Sequence, residues 1–244
     1  MNEDLSTRKQ AIRESVWARL VAERQAAFPF PIRGRIPNFR GASAAAARLA
    51  EQPEFERARV VKVNPDAPQR PVRQRVLDAR KLLLMPTPRL RGGFVVVDPA
   101  RLDAGDRARA SSIAGAFALG SLVPLVELPA IDLIVFGTVA VTARGARVGK
   151  GEGYAELEYA TLRTLGRVGP NVPIATTVHD AQIVDSVPIE PFDVPVDLIV
   201  TPTRVIRCEP RLPKPSGVLW EYLSDRRLEE MPVLQELRRA GGDS

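Results

Sequence analysis

The stretch Ala58–Pro86, ARVVKVNPDAPQRPVRQRVLDARKLLLMP, holds two short apolar runs, ARVVKV (Ala58–Val63) and KLLLMP (Lys81–Pro86), with a polar segment between them. Within that segment Val72–Ala79 predicts a helix, so the order reads strand, helix, strand. Two strands joined through a helix pair in parallel by a crossover, and such units belong to α/β sheets covered on both faces.

The same alternation continues on either side. STRKQAIRESVWARLVAERQAAF predicts a helix over about residues 5–27, capped by Ser6, with Ile12, Val16, Trp17, Leu20 and Val21 at helical spacing. The prolines of PFPIRGRIPNF (Pro29–Phe39) end it, and an alanine-rich helix follows near Ala42–Glu51. Further strands are expected at GGFVVVD (Gly92–Asp98), IDLIVFGTVAVT (Ile131–Thr142), NVPIATTVH (Asn171–His179) and VDLIVTPTRVI (Val196–Ile206). Asp106–Ser121 is weakly helical, Tyr154–Leu165 predicts a helix, and a helical tail spans about residues 216–240. With no repeat and no long linker, the expectation is one domain over residues 1–244. It is a three-layer α/β/α fold around a mostly parallel, Rossmann-like open sheet.

Composition narrows the classes. Hydrophobic residues make up 45% and charged residues 26%, enough apolar material for a sizeable core. No apolar run reaches the roughly 18–20 residues that span a bilayer, and MNEDLSTRKQ lacks the apolar centre of a secretion signal. A single cysteine, Cys208, excludes an internal disulfide framework and suits a reducing compartment. The expectation is a cytoplasmic protein, monomer or homodimer. Charge is uneven: residues 1–100 carry 19 Lys and Arg against 10 Asp and Glu, the rest 16 against 19. A basic half suits an anionic partner. Arginine outnumbers lysine 30 to 5, however, so a solvated basic surface or codon bias accounts for it equally well.

The chemistry concentrates in GARVGKGEGYAELEY (Gly145–Tyr159), which sets Gly149, Gly151 and Gly153 at alternate positions between a strand and a helix. Such a loop can turn its amides onto phosphate oxygens at a helix N-terminus, with Arg147 and Lys150 adding positive charge. It is neither a Walker loop nor a GxGxxG fingerprint, and by spacing alone a structural turn is equally acceptable.

GARVGKGEGY resembles the nucleotide-binding motif of the 5-formyltetrahydrofolate cyclo-ligase family, GxRLGxGxGYYDR. TVHDAQIVDSVPIEPFDVPVDLIVTPTRVI (Thr177–Ile206) is similar to that family's second signature, and KQAIR (Lys9–Arg13) to its N-terminal KxxLR element. The resemblance implies an α/β/α enzyme that uses ATP with Mg²⁺ to phosphorylate the formyl oxygen of 5-formyltetrahydrofolate, after which a ring nitrogen attacks and phosphate leaves. By resemblance Lys9, Arg13, Arg147, Gly149, Lys150, Gly151, Glu152, Gly153 and Tyr154 would hold the nucleotide. Lys150 and Arg147 would stabilise the transferred charge. Asp193, in FDVPV, and Glu156 would ligate the metal. Each has a plainer alternative: Lys9 and Arg13 as a solvated helix face, Asp193 as a turn cap, Glu156 as a charge complementing a helix N-terminus. His179 is read as a hydrogen-bonded structural residue.

The departures fall on the folate side. GYAEL (Gly153–Leu157) stands where the family has GYYDR. In NPDAPQRPVR (Asn64–Arg73), glutamine and arginine occupy the region of a folate-holding acid, so that acceptor is expected to be lost. The pattern looks most like a paralogous branch that includes methenyltetrahydrofolate synthetase domain-containing proteins, which implies doubtful cyclo-ligase activity and a link to thiamin metabolism. On that reading Arg73 and Arg89, with Tyr154, face a small anionic or folate-like substrate; an exposed basic rim is the alternative for the arginines. The competing class is a non-catalytic nucleotide-, metabolite- or RNA-binding protein on the same scaffold. RNA is not favoured, since aromatics make up only 5% of the chain.

Overall fold

In the computed structural model, which describes residues 3–90, 92–103 and 105–240, the chain opens with α1 (Glu3–Ala22). Its buried face carries Val16, Trp17 and Leu20, and Lys9 and Arg13 continue the same stripe. The helix stops short of the expected residue 27. Arg24 turns at φ +54°, and Ala26 then pairs with Phe39 in an antiparallel bridge. Two short helices, α2 (Ala42–Ala50) and α3 (Pro53–Arg57), lead into β1 (Val60–Val63). There follow α4 (Arg70–Asp78), β2 (Leu82–Pro86) and β3 (Phe94–Val97). The weakly helical segment is two helices, α5 (Asp106–Ala110) and α6 (Ile113–Leu119), before an edge strand, β4 (Ser121–Val123).

The apolar run Ile131–Thr142 is not one strand. β5 (Leu133–Phe136) stays in the sheet; beyond Gly137, β6 (Ala140–Val141) leaves it to pair with β7 (Arg147–Val148) as a separate antiparallel hairpin. That departure carries the glycine loop away from the sheet plane and into α7 (Tyr154–Thr164). β8 (Ile174–Thr177) follows. VDLIVTPTRVI then folds back on itself as β9 (Leu198–Val200) and β10 (Val205–Arg207). The tail divides into α8 (Asp225–Glu230) and α9 (Pro232–Ala240), separated at Met231, with proline at the first position of α9.

Among the described residues eight strands form one sheet in the order β10-β9-β8-β5-β1-β2-β3-β4. The centre, β9 to β2, is parallel, and β10, β3 and β4 add antiparallel edges. The mostly parallel α/β sheet expected from the sequence is therefore present. Strand periodicity divides the core. Val61, Val63, Leu83, Met85, Leu133 and Val135 pack with α2, α4, α5 and α6 on one face. Val60, Leu84, Ile134 and Phe136 pack with α7 and α9 on the other. No helix among the described residues is long and apolar enough to cross a membrane.

Candidate functional site

Strands β1, β2 and β5 end side by side, and the residues that follow each of them (Asn64–Asp66, Thr87–Pro88 and Gly137) line one cavity of about 710 Å³. Ligand crevices of open α/β sheets lie at this end of the strands. The same cavity is lined by Lys9, Arg13, the whole loop Gly149–Gly153, Tyr154, Glu156 and Asp193. Ten of the positions singled out in the sequence thus converge, although they come from three distant segments.

The loop geometry explains two of its glycines. Gly151 lies at φ +105° and Gly153, which precedes α7, at φ +70°, conformations that favour glycine. Among the described residues the amides of Lys150, Gly151, Glu152 and Gly153 have no protein acceptor, so they are available to an anion. Lys150 reaches back to Glu152 at 2.7 Å, half-exposed.

Arg147 is under the loop rather than in the cavity. It is buried, donates to Val194 O and Gly137 O (both 3.1 Å) and to the Glu156 carboxylate, and lies 4.5 Å over the Phe136 ring. Its role is therefore positional: it fixes hairpin, strand end and helix to one another. Lys9 and Arg13 are 6% and 8% exposed, which removes the solvated-face alternative. Arg13 donates from Nε to Gly149 O at 2.7 Å; burial lowers its pKa against the pull of Glu156 and Asp193. The Lys9 ammonium bridges Glu190 (2.8 Å) and Asp193 (2.6 Å). Asp193 also accepts from Glu190 N at 2.7 Å, yet burial still holds its carboxyl above the usual range. Tyr154 lines the cavity and donates its hydroxyl to Glu230 at 3.1 Å.

Arg73 is not brought to the cavity. It packs with Val72, Val76 and Leu77 on the inner face of α4 and donates to Ser111 O, Asn64 O and Asp66 O at 2.8, 2.6 and 3.1 Å. Burial brings its pKa down to about 10. The residue holds the β1 loop in place from behind, because the helical period points it inward; neither a substrate contact nor an exposed rim describes it. The Arg89 side chain lies outside the described residues. His179 accepts from Ala181 N at 3.1 Å and meets Phe39 edge-on, a structural role. Cys208 is buried, its thiol pushed up to about 12 by burial, too high for a nucleophile.

Four residues of the site were not read from the sequence. The segment expected to lack an acid on the substrate side does bring one carboxyl to the cavity, Asp66, the third residue after β1. Its carboxylate occupies space that only a glycine at 137 leaves, since a Cβ there would sit 2.5 Å from Oδ2. Burial raises the Asp66 pKa, opposed by the positive charges of Lys150, Arg73 and Lys62. Gln69 and Arg70, later in the same segment, do not line the cavity: Gln69 is buried toward Thr177 and Arg70 is exposed. Behind Asp66, Lys62 is fully buried in β1 and bonds Glu158 (2.5 Å) and Asn64 (2.7 Å), both on the cavity wall. The available signal was a lysine inside an apolar strand, followed at once by Asn-Pro-Asp.

A polyphosphate fits the loop end, where free amides and Lys150 meet. For a divalent cation the donor chemistry is suitable, since Glu156, Glu190 and Asp193 are hard oxygen ligands on that wall. Among the described residues no three His, Cys, Asp or Glu side chains form a metal cluster.

Comparison with known proteins bears on this geometry. Residues 5–202 match the model of the 5-formyltetrahydrofolate cyclo-ligase family. A methenyltetrahydrofolate synthase domain-containing protein of Bos taurus is 43% identical over 235 residues, covering 94% of this chain and 62% of that protein. One of the same description from Mus musculus is 44% identical over 235 residues, covering 94% and 63%. The chain therefore spans under two thirds of the length of these relatives. The NMR structure of Aquifex aeolicus 5,10-methenyltetrahydrofolate synthetase aligns over 82% of this chain and 93% of that one, with a TM-score of 0.53 at 22% identity, a likeness of fold.

Proposed function

Since the chain belongs to the 5-formyltetrahydrofolate cyclo-ligase family, we propose that its cavity binds ATP by the phosphates beside a folate-like substrate and activates that substrate's formyl oxygen by phosphorylation. The observation that carries this reading is that two unlike groups line one cavity: the free amides with Lys150 on the glycine loop, and the Asp66 carboxylate after β1. The first suits a polyanion. The second suits the N–H groups of a reduced pterin ring, which need an acceptor.

Phosphoryl transfer asks the protein mainly for position and for positive charge where oxygen charge develops. Lys150, on the loop beside the free amides, supplies that charge. Arg13 adds to it while holding Gly149 O, and Arg147 keeps the loop in register with β5 and α7. Asp193 and Glu156 are the proposed donors to Mg²⁺, which when bound neutralises phosphate charge. As a donor, Asp193 would share its carboxylate between Lys9 and the ion. Ala155 and Leu157, which stand where the family motif has tyrosine and a basic residue, both line the cavity. The proposal therefore extends to a substrate related to 5-formyltetrahydrofolate but differing in the part that meets this wall.

Calorimetric titration with ATP–Mg²⁺ should give saturable heat, and Lys150→Ala should weaken binding by about tenfold or more, the scale of one charge-assisted contact. The absence of heat with the parent protein sinks the reading. Methenyltetrahydrofolate formation, followed by absorbance, then tests the substrate: ATP binding without turnover excludes 5-formyltetrahydrofolate.

Asp66→Asn should abolish turnover yet stabilise the protein at neutral pH. The folded-state pKa of Asp66 is raised, so the folded chain holds a proton that the unfolded chain has released. Stability then falls as pH rises from about 4, the unfolded value, through the folded one. Removing the carboxyl cancels that fall, so parent and variant should unfold alike at low pH and diverge upward. A variant less stable than the parent at neutral pH contradicts this account.

A further inference from the structure

The stretch that matches the family model ends at residue 202, but the cavity does not. Leu219, Tyr222, Leu223, Ser224 and Arg227 form a wall over the glycine loop. The wall is anchored: Met231 and Leu234 are fully buried in the core that includes Tyr159 and Leu162 of α7. At its upper edge Tyr222 meets Phe192 edge-on at 5.4 Å, and the Lys9 ammonium lies 5.6 Å from that same ring.

Arg227 makes the closest contacts to the loop. Its Nη2 donates to the Glu152 carbonyl, Nη1 donates to Glu230 at 3.2 Å, and the guanidinium lies 4.8 Å over the Tyr154 ring. Glu230 also accepts the Tyr154 hydroxyl, so Arg227, Glu230 and Tyr154 form a closed triangle at the start of α7. A Cβ on Gly153 would lie 3.8 Å from Arg227 Nη2.

The consequence follows from peptide planarity. The Glu152 carbonyl and the Gly153 N–H belong to one trans peptide unit and point in opposite directions. An arginine that fixes the carbonyl therefore fixes the amide. Arg13 does the same one turn of the loop earlier, since its bond to Gly149 O sets the direction of the Lys150 N–H. Two arginines, from α1 and α8, thus hold two loop carbonyls, whose negative ends would otherwise be free to swing toward an anion. We infer that Arg227 is a positioning residue for phosphate on the glycine loop, supplied by a C-terminal segment outside the family-matched stretch. The inference rests on the nucleotide reading above.

The test compares the parent with Arg227→Ala, Arg227→Lys, Lys150→Ala and, as a control, Arg226→Ala, whose side chain is 85% exposed and points to Glu230. Affinity for ATP–Mg²⁺ is read by calorimetry and loop order by amide hydrogen exchange in the ligand-free protein. Arg227→Ala should weaken ATP by about tenfold and speed exchange of the Leu157 amide, which is bonded back to Gly153 O at 3.2 Å. Arg227→Lys, which keeps a donor for Glu152 O, should recover part of both, and Arg226→Ala should change neither. If Lys150→Ala weakens ATP while Arg227→Ala binds like the parent with unchanged exchange, the assignment of Arg227 is overturned and the nucleotide reading stands. If the parent itself gives no heat, the nucleotide reading falls and this inference falls with it.

Discussion

Arg147→Ala is expected to cost about 3–5 kcal/mol of stability and to remove ATP binding together, the largest joint effect among the loop residues. The charge is buried, and its partners are drawn from three elements: Val194 O before β9, Gly137 O after β5, and Glu156 on α7. Alanine leaves Glu156 as a carboxylate facing a void with its cation gone, and leaves two buried carbonyls without their donor. The Phe136 ring loses its cation as well. In a chain of this length such a loss lowers Tm by about 8–15 °C. Arg147→Lys should recover little, because one ammonium cannot span acceptors arranged for a planar guanidinium. Thermal unfolding with parallel ATP titration checks both arms. A Tm shift under about 2 °C means that the buried network carries no structural weight.

The motif reading placed Arg147 in the site but could not say which way it faced, and that limit recurs. The strand–helix–strand unit Ala58–Pro86 was legible because local periodicity determines it, and the parallel pair β1–β2 follows. The run Ile131–Thr142 predicts one strand because hydrophobicity does not mark where a chain leaves a sheet; the exit comes at Gly137, a position that Asp66, seventy-one residues earlier, restricts to glycine. Lys9 and Arg13 were legible as a pair one turn apart. That Glu190 and Asp193 neutralise Lys9 was not, since nothing near residue 9 encodes a partner 181 or 184 positions away. The wall built by Arg227 was hidden for the same reason: its contact with Glu152 spans 75 residues. Asp66 was within reach, because a polar trio directly after a buried strand is where such sheets bind ligands.

Lys62→Met should destabilise the fold by about 3–5 kcal/mol at neutral pH, and the loss should shrink in acid. Lys62 sits mid-strand on the α7 side of the sheet, with Val60 and Phe136, and its ammonium has Glu158 at 2.5 Å, Asn64 at 2.7 Å and the Phe136 ring at 4.9 Å. Methionine matches the stem but leaves Glu158 buried without its counter-charge. Burial already raises the Glu158 pKa, and Lys62 is the main influence drawing it down. Without Lys62 the folded-state value rises further above the unfolded one near 4.3. The folded chain then binds more protons than the unfolded chain between those values, so stability drops as pH climbs through that window and is intact below it. Urea unfolding at about pH 4 and at neutral pH should therefore show a small defect at the first and a large one at the second. Replacing both partners, Lys62→Met with Glu158→Leu, should restore most of the stability, since an apolar pair carries no desolvation cost. Equal defects at both pH values, or a double variant no better than the single, would show that the pair is not what stabilises this floor of the cavity.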